Sequence, residues 1–265
     1  MSYTLTIETT GDEIEVEEGQ TMLDACLRAG VWLPHACCHG MCGTCKIDVV
    51  DGEIEHGEAS GFALMDFERD EGKALACCAT LESDVSIEAE IEEDPDAESI
   101  PVEDFNATVE RIDDLTPTIK GLHLRLDRPI RFQPGQYINL TIAGKQGTSR
   151  AFSIASDMSD PTMLELNIRL VPGGEGTSWV HHDLQVGDSV HLTGPYGRFF
   201  VRHSAQMPTL LLAGGSGLSS PRSMLLDLIA RKEEQPITMV YGARTRSERY
   251  YHEELAALSE NHDKV

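Results

Sequence analysis

The spacing of apolar and polar residues divides the chain into three stretches that predict different secondary structure. In the first stretch, four segments alternate between apolar and polar residues and are therefore expected to be strands: residues 3–7, 13–16, 46–50 and 85–91. Thr21 is suited to cap a helix that ends near residue 29, and a second helix is expected at residues 60–71. The first stretch thus predicts a small mixed α+β unit.

The next two stretches predict an antiparallel barrel and then a parallel sheet. Residues 94–101 are polar, contain two prolines and predict a linker. Short strand-like segments separated by turn residues follow at residues 106–112, 119–126, 137–142, 150–154, 163–170 and 189–193, and no long helix intervenes. From residue 209, strand–helix pairs at 209–213 with 221–231 and at 237–241 with 253–258 predict the start of a parallel α/β sheet.

We therefore expect three domains, at residues 1–93, 102–203 and 204–265, with the linker at 94–101. The predicted fold class is multidomain, with an α+β, an all-β and an α/β part. Two strand–helix units are fewer than a complete doubly wound domain contains, so the last domain is expected to be truncated in these 265 residues.

Negative charge is concentrated in the first domain. The chain has 45 Asp and Glu against 21 Lys and Arg, and residues 1–104 hold 27 of the acids but only four of the bases. This balance excludes nucleic-acid binding as the leading interpretation, because phosphate contacts need a basic face. The sequence shows neither a membrane span nor a signal peptide, so a cytoplasmic protein is expected. A localised acidic surface is suited to steering a basic partner, and it also fits a solvated face.

Cysteine is concentrated in the same domain, at positions 26, 37, 38, 42, 45, 77 and 78. In a cytosolic chain, cysteines favour metal or redox chemistry over disulfides. Cys37, Cys42 and Cys45 have the spacing Cys-x4-Cys-x2-Cys of a plant-type [2Fe–2S] site. A fourth thiolate is available far downstream, at Cys77 or Cys78.

Other metal and redox sites fit this loop less well. A zinc ribbon needs two Cys-x2-Cys pairs, whereas the downstream cysteines are adjacent in sequence. A Rieske centre needs two His ligands, and Cys45 stands where the second would lie. A thioredoxin-like Cys-x2-Cys opens a helix, whereas residues 46–50 predict a strand. Gly40 and Gly43 permit the tight bend of a cluster loop and let amide groups approach the sulfurs.

Two segments of the second domain carry side chains suited to a flavin nucleotide. Arg150 offers a planar fork to a pyrophosphate, Phe152 a face to a ring system and Ser153 a hydroxyl. Strict alternation along a strand would place Ser153 on the face opposite to Arg150 and Phe152. All three side chains can therefore contact one ligand only at a strand end or a bulge. A second phosphate contact is expected from the next glycine turn, at Arg169, Gly173, Gly174 and Thr177. Each segment alone also fits an ordinary strand or hairpin turn.

A glycine-rich turn in the third domain is suited to a dinucleotide. It comprises Gly214, Gly215, Ser216 and Gly217, between a predicted strand and a predicted helix. Amide groups and the helix dipole converge on a phosphate at such a turn. The turn departs from the Rossmann fingerprint, because Ser220 stands where the third glycine belongs. After the next strand, a cofactor ribose is expected to meet Tyr241, Gly242 and Arg244.

In their order along the chain, these motifs resemble a reductase of the ferredoxin–NAD(P)H oxidoreductase type with an N-terminal plant-type ferredoxin domain. More narrowly, the chain is similar to the reductase components of multicomponent phenol hydroxylases. The resemblance is strongest at residues 37–45, 75–78, 134–137, 150–153, 194–197 and 213–221. It implies a β-grasp ferredoxin domain, an antiparallel FAD-binding barrel and a partial Rossmann-like NAD-binding domain.

The resemblance also assigns roles to residues. It implies that Cys77 is the fourth cluster ligand beside Cys37, Cys42 and Cys45. It implies that the strand with Arg150 and the glycine turn with Thr177 hold FAD. The family's later Cys-Gly-Pro-Pro loop beside the nicotinamide and its C-terminal aromatic residue are not found in these 265 residues.

The function implied is that of an NADH-dependent flavin iron–sulfur oxidoreductase. Electrons would pass from NADH through FAD and the [2Fe–2S] cluster to a diiron hydroxylase that acts on phenol or related aromatics. The acidic ferredoxin domain would dock on this oxygenase. Two alternatives stay open: the reductase of a ring-hydroxylating dioxygenase, and a flavin–ferredoxin electron carrier without nicotinamide activity.

Overall fold

A computed structural model describes residues 2–144 and 148–265 of the chain. The chain divides into two compact units. Unit 1 comprises Met1–Asp94 and Ser99–Val102, and unit 2 comprises Pro95–Glu98 and Glu103–Val265.

Unit 1 is built on a mixed five-stranded sheet. Its elements are β1 (Ser2–Ile7), β2 (Asp12–Glu17), α1 (Met22–Arg28), β3 (Lys46–Asp51), β4 (Ile54–Glu55), α2 (Asp66–Asp70), β5 (Lys73–Leu75), β6 (Thr80–Leu81) and β7 (Val85–Glu88). The strand order is β2-β1-β7-β3-β5, in which only β1 and β7 are parallel. Leu5, Ile7, Val16 and Ile87 are buried on one side of these strands, as their alternation predicts.

The two helices of unit 1 differ in how well the sequence predicts them. Helix α1 begins as expected, because the Thr21 hydroxyl accepts a hydrogen bond from the Asp24 N–H at 3.3 Å. The predicted helix at 60–71 is wrong over its first half, since α2 begins only at Asp66. The preceding segment instead lies against the cysteine loop, where the Ser60 N–H donates to the Gly40 carbonyl at 2.9 Å.

Unit 2 begins with antiparallel strands and ends with a parallel pair. Its elements are β8 (Glu103–Thr116), β9 (Ile119–Leu126), β10 (Tyr137–Thr141), β11 (Ser149–Ser153), β12 (Met163–Arg169), α3 (Glu175–His182), β13 (Ser189–Tyr196), β14 (Thr209–Gly214), α4 (Ser219–Ala230), β15 (Ile237–Gly242) and α5 (His252–Asn261). All six strands predicted between residues 106 and 193 are confirmed, as are both strand–helix pairs. Helix α3 was not predicted.

The six antiparallel strands curl into a barrel-like sheet of order β11-β10-β13-β8-β9-β12. Its two edge strands approach each other, because Ile154 and Leu166 form an antiparallel bridge and the Ala155 N–H donates to the Glu165 carbonyl at 2.8 Å. Apolar side chains from all six strands fill the interior. The sheet therefore has the antiparallel barrel architecture that the turn spacing predicts.

The parallel pair β14 and β15 lies beside α4, whose Leu225 and Leu228 pack with Leu211 and Ile237. A single 3-10 turn at Gly215–Leu218 joins β14 to α4. In the described part of the chain, none of the helices has both the length and the apolar character needed to cross a bilayer.

Candidate functional site

The cysteine loop between α1 and β3 and the segment after β5 bring the predicted cluster ligands together. The four thiols lie together, Cys37 next to Cys42 and Cys45 next to Cys77, and the sulfur of Cys78 lies 3.6 Å from that of Cys77. Cys42 is exposed, whereas Cys45 is only 3% exposed. The site therefore reaches from the protein interior to the surface.

Hydrogen bonds within the site prepare two of these thiols for deprotonation. The Thr44 hydroxyl lies 3.2 Å from the Cys42 sulfur and is the main cause that lowers the pKa of Cys42 to about 6. The hydrogen bond from Cys45 lowers the pKa of Cys77 to about 6 and raises that of Cys45. Burial raises the pKa of Cys78 to about 12. Metals bind the thiolate form, but the pKa of Cys45 is raised as well, so the choice of Cys77 over Cys78 stays a prediction.

Gly40 shapes the loop around the sulfurs. Its φ is +67°, and a Cβ added there would lie 2.7 Å from the Cys78 sulfur and 3.0 Å from the Glu58 carbonyl oxygen. Its amide points at the Cys77 sulfur, where an N–H stabilises negative charge. Among the described residues, no group of three or more His, Cys, Asp or Glu is arranged for a single metal ion. Two thiol pairs fit a two-iron cluster, which takes four thiolates over two irons.

Strand β11 places the predicted flavin residues at its end. Arg150 is exposed, Phe152 packs half-buried against the barrel core, and Ser153 is the last residue of the strand. A strand end is one of the conditions under which the three can meet one ligand. The Arg150 side chain crosses the first turn of α3, because a Cβ added to Gly176 would lie 2.8 Å from its Cγ.

The glycine turn predicted to contact FAD leads directly into α3. Gly173 has a φ of +74°, and Gly174 is the N-terminal cap of the helix. The Thr177 hydroxyl accepts from the Val171 N–H at 3.1 Å and donates to the Gly174 carbonyl at 3.3 Å, so it closes this turn. Amides at a helix N-terminus, together with Arg150, form a suitable site for a phosphate.

Arg169 ends β12 beside the other glycine turn. A Cβ added to Gly215 would lie 3.3 Å from Nη1 of Arg169, and the Glu248 carboxylate lies 3.6 Å from its Nη2. Glu248 also accepts a hydrogen bond from the Thr118 hydroxyl at 2.7 Å. The predicted contact of Arg169 with FAD stays a prediction, and its guanidinium also lies within reach of a ligand on the Gly214–Gly217 turn.

The nucleotide turn lies at the carboxyl ends of the two parallel strands. Gly214 and Gly242 are paired there, at the edge where open α/β sheets bind ligands. The Tyr241 hydroxyl is directed to protein, since it donates to the Glu248 carbonyl at 3.4 Å. Arg244 is exposed. The predicted ribose contacts of these residues stay predictions.

The sequence did not identify Glu165 and Asn167 on β12, which are only 7% and 6% exposed. Their strand alternates apolar and polar residues, and this pattern is typical of a strand with one solvated face. Here both faces are buried. Nothing in the pattern itself distinguishes the two cases.

Three family models match consecutive parts of the chain. They are a 2Fe-2S iron–sulfur cluster binding domain at residues 5–82, an oxidoreductase FAD-binding domain at 106–201 and an oxidoreductase NAD-binding domain at 211–265. Together with the fold, they define an iron–sulfur flavoprotein oxidoreductase. The predicted cofactor set of [2Fe–2S], FAD and NAD is thereby confirmed.

Relatives that match nearly the whole chain include reductase components of oxygenases. The reductase component of phenol 2-monooxygenase from Pseudomonas sp. (strain CF600) is 57% identical over 264 residues, which are 98% of this chain and 74% of that protein. A phenol hydroxylase protein from Acinetobacter pittii (strain PHEA-2) is 56% identical over 253 residues, covering 96% of this chain and 71% of that protein. The chain belongs to the family of phenol hydroxylase reductase components.

Solved structures of other reductases share the fold of this chain. The crystal structure of the Amycolatopsis reductase GcoB superposes with a TM-score of 0.88 at 33% identity, covering 99% of this chain and 78% of that one. A ferredoxin reductase in carbazole 1,9a-dioxygenase matches with a TM-score of 0.78 at 29% identity, covering 94% and 75%. The shared fold thus extends over nearly the whole chain.

Proposed function

We propose that this chain takes electrons from NADH and passes them, by way of FAD and a [2Fe–2S] cluster, to a diiron hydroxylase that acts on phenol or related aromatics. The observation that carries the proposal is the match to a 2Fe-2S cluster binding domain in a chain that is 57% identical to a phenol 2-monooxygenase reductase component. When bound, the three groups supply hydride acceptance and single-electron transfer, and the protein supplies binding and electrostatics.

The cluster is assigned to Cys37, Cys42, Cys45 and Cys77. The preference for Cys77 over Cys78 follows the family resemblance, and the nearness of Cys45 and of the Gly40 amide to the Cys77 thiol supports it. Backbone N–H groups directed at ligand sulfurs stabilise the extra negative charge of a reduced cluster.

The nucleotides are assigned to two separate turns of unit 2. FAD is assigned to the end of β11 and to the turn before α3, through Arg150, Phe152, Ser153, Arg169, Gly173, Gly174 and Thr177. The nicotinamide dinucleotide is assigned to the carboxyl ends of β14 and β15, through Gly214, Gly215, Ser216, Gly217, Tyr241, Gly242 and Arg244. In both turns, backbone amides at a helix start are suited to a pyrophosphate.

The surface around Cys42 is proposed as the docking face for the hydroxylase. Apolar side chains are exposed on the cysteine loop and on the segment that precedes and forms α2: Met41 (64%), Phe62 (95%), Met65 (49%) and Phe67 (57%). We call these four residues the exit patch. It lies in the domain that carries the excess acidic charge, so it fits a partner with an apolar socket bordered by Lys and Arg.

Substitution of Phe62 by Ser tests the docking face. A truncated apolar anchor at an interface centre should raise the KM for the hydroxylase roughly tenfold. Val50→Ser is the matched control, because Val50 is also exposed (56%) but lies on β3 outside the exit patch. Equal KM values for the Phe62→Ser and Val50→Ser variants would show that the exit patch is not part of the interface with the hydroxylase.

The proposed function is tested by reconstitution. The purified protein, loaded with iron, sulfide and FAD, is mixed with NADH, a phenol-hydroxylating diiron oxygenase and phenol. Hydroxylated product is expected only when all components are present. Oxidation of NADH that reduces a Rieske dioxygenase but not the diiron enzyme would contradict the proposal.

A further inference from the structure

Strand β12 turns a row of polar residues toward buried neighbours. Its apolar residues face the barrel core, so Glu165, Asn167 and Arg169 share the opposite face. On an isolated barrel this face would be solvated. Glu165 and Asn167 are instead among the few buried polar residues of the chain, because the nucleotide turn and helix α4 cover them.

The three polar residues contact this turn and helix in sequence register. Glu165 Oε2 lies 3.0 Å from Nη1 of Arg222, and the Ser219 hydroxyl, which donates to the Ser216 carbonyl at 3.1 Å, lies 3.4 Å from the Asn167 side-chain oxygen. Arg169 lies beside Gly215. Glu165, Asn167 and Arg169 follow one another at every second position of β12. Their partners Arg222, Ser219 and Gly215 follow one another in the reverse direction, from α4 back to the glycine turn. We call these three contacts the polar ladder.

The first step of the polar ladder is a hydrogen-bonded cluster of one arginine and two carboxylates. Arg222 donates to Glu165, to Glu254 at 2.9 Å and to the Ala155 carbonyl at 2.7 Å, and it stacks 4.2 Å over the ring of Tyr251. The Tyr251 hydroxyl donates to Glu165. Burial opposes the charge of Arg222, but its two carboxylates outweigh burial and hold its pKa above the usual value.

Stability alone does not account for such a cluster. Replacing a buried ion pair by apolar residues of similar size is often neutral or stabilising. Directional contacts between charged and polar groups favour a single position of α4 relative to β12. If α4 shifted along β12, buried polar groups would lose their hydrogen-bond partners.

We propose that the polar ladder is a positioning device that fixes the nucleotide turn against the flavin barrel and so sets the approach of the nicotinamide to the flavin. This inference rests on the proposed function. β12 belongs to the barrel assigned to FAD, and the turn is assigned to the dinucleotide. A shift along the ladder would therefore move one cofactor relative to the other while each binding surface stays intact.

Hydride transfer is sensitive to such a shift, because a misplacement of about 1 Å can lower a rate about 100-fold. Glu165 and Asn167 are thus positioning residues and need no contact with either cofactor. Loosening of the ladder should slow the reduction of FAD at saturating NADH, while the affinity for each nucleotide is retained.

The test compares Asn167→Leu and Glu165→Gln with the unaltered holoprotein. For both variants we expect flavin reduction by saturating NADH, followed anaerobically by stopped flow, to slow roughly 10- to 100-fold. FAD content and the apparent dissociation constant of NADH should stay unchanged. Hydrogen exchange of the Gly214–Leu218 amides, measured without NADH, should become faster.

Arg125→Met is the matched control. Arg125 also lies on a barrel strand and pairs with two carboxylates, Glu110 and Asp160, but it is 43% exposed. This variant should change neither the reduction rate nor the exchange of the turn.

Two results would overturn the inference. One is flavin reduction and turn exchange in Asn167→Leu and Glu165→Gln that equal those of the unaltered protein. The other is a slower rate explained entirely by lost FAD or by weaker NADH binding. If the unaltered protein itself does not react with NADH, the proposed function fails instead. In that case, hydrogen exchange of the Gly214–Leu218 amides still shows whether the polar ladder fixes the nucleotide turn.

Discussion

The cluster site of unit 1 and the nucleotide sites of unit 2 are assembled in opposite ways. Three of the four assigned cluster ligands lie within residues 37–45, on one loop whose bend depends on Gly40. In unit 2, the contacts that hold the nucleotide turn join residues far apart in sequence, such as Glu165 and Arg222, which are 57 positions apart. Most of the cluster site is therefore formed by residues close together in the sequence. The position of one nucleotide site relative to the other depends on contacts between residues that are distant in sequence.

The largest effect is expected from a change in the local site. Cys42→Ser removes one thiolate of the Cys37–Cys42 pair, and a serine hydroxyl is a poor replacement for a soft thiolate ligand. We expect the variant to lose the cluster absorbance and all transfer to one-electron acceptors, while FAD stays bound. Iron analysis and visible spectra after desalting measure both outcomes.

Cys38→Ser is the control for this variant. Cys38 is exposed, lies on the same loop and stands outside the assigned ligand set. It should keep a full complement of iron. A complete cluster in Cys42→Ser, or its loss in Cys38→Ser, would show that the ligands have been assigned to the wrong thiols.

The distant contacts of unit 2 are expected to respond next most strongly. Arg222→Met leaves Glu165 buried without its cation, and breaking one partner of a buried pair costs about 3–5 kcal/mol. Each unit holds one tryptophan, Trp32 in unit 1 and Trp179 in unit 2. Urea unfolding of the variant should shift the transition reported by Trp179 and leave that of unit 1 in place.

Arg131→Met provides the comparison, since Arg131 pairs with Glu98 at 3.0 Å and both side chains are exposed. An exposed pair of this kind contributes about 0.2–1 kcal/mol. If the two arginine variants were equally stable, the buried cluster would not hold unit 2 together.

A smaller effect on stability is expected at Gly135, where the barrel and helix α4 of unit 2 lie in close contact. Gly135 has a φ of +110°, and a Cβ there would overlap the Phe199 carbonyl oxygen and the Met224 side chain. Gly135→Ala should destabilise unit 2 by about 2–3 kcal/mol. Gly187→Ala isolates backbone strain, because Gly187 has a φ of +95° but nothing within 4 Å, and it should cost about 1 kcal/mol. Thermal midpoints that coincide would mean that the close approach adds nothing.

The smallest effect concerns charge. Transfer from unit 1 to the hydroxylase should slow several-fold as ionic strength rises to about 1 M, where the screening length falls to about 3 Å. Reduction of a small neutral acceptor should not change. A rate to the hydroxylase that is independent of salt would leave the acidity of unit 1 as a property of a solvated surface.

The sequence predicted those features that depend on neighbours along the chain. The alternation of residues 119–126 predicted β9 in full, and Thr21 predicted the start of α1. The helix at 60–71 was overpredicted, because Phe62, Met65 and Phe67 are exposed and do not form a buried helix face. Sequence periodicity reports burial only on average, and it carries no information about which partner covers a face.

The same distinction applies to the sites. The spacing of Cys37, Cys42 and Cys45 predicts a cluster loop, and the family model of a 2Fe-2S domain covers these residues. Helix α3 escaped prediction because its start follows two glycines and only two of its eight residues, Trp179 and Val180, are apolar. The burial of Glu165 depends on Arg222 and Tyr251, whose positions are known only once the chain has folded.

An anaerobic titration with NADH, followed by electron paramagnetic resonance, tests most directly whether electrons reach the thiol loop from the nucleotide sites. The signal of a reduced [2Fe–2S] centre should grow with added NADH and approach the intensity that dithionite produces. A full signal with dithionite but none with NADH, from a protein that retains its FAD, would contradict the proposed route.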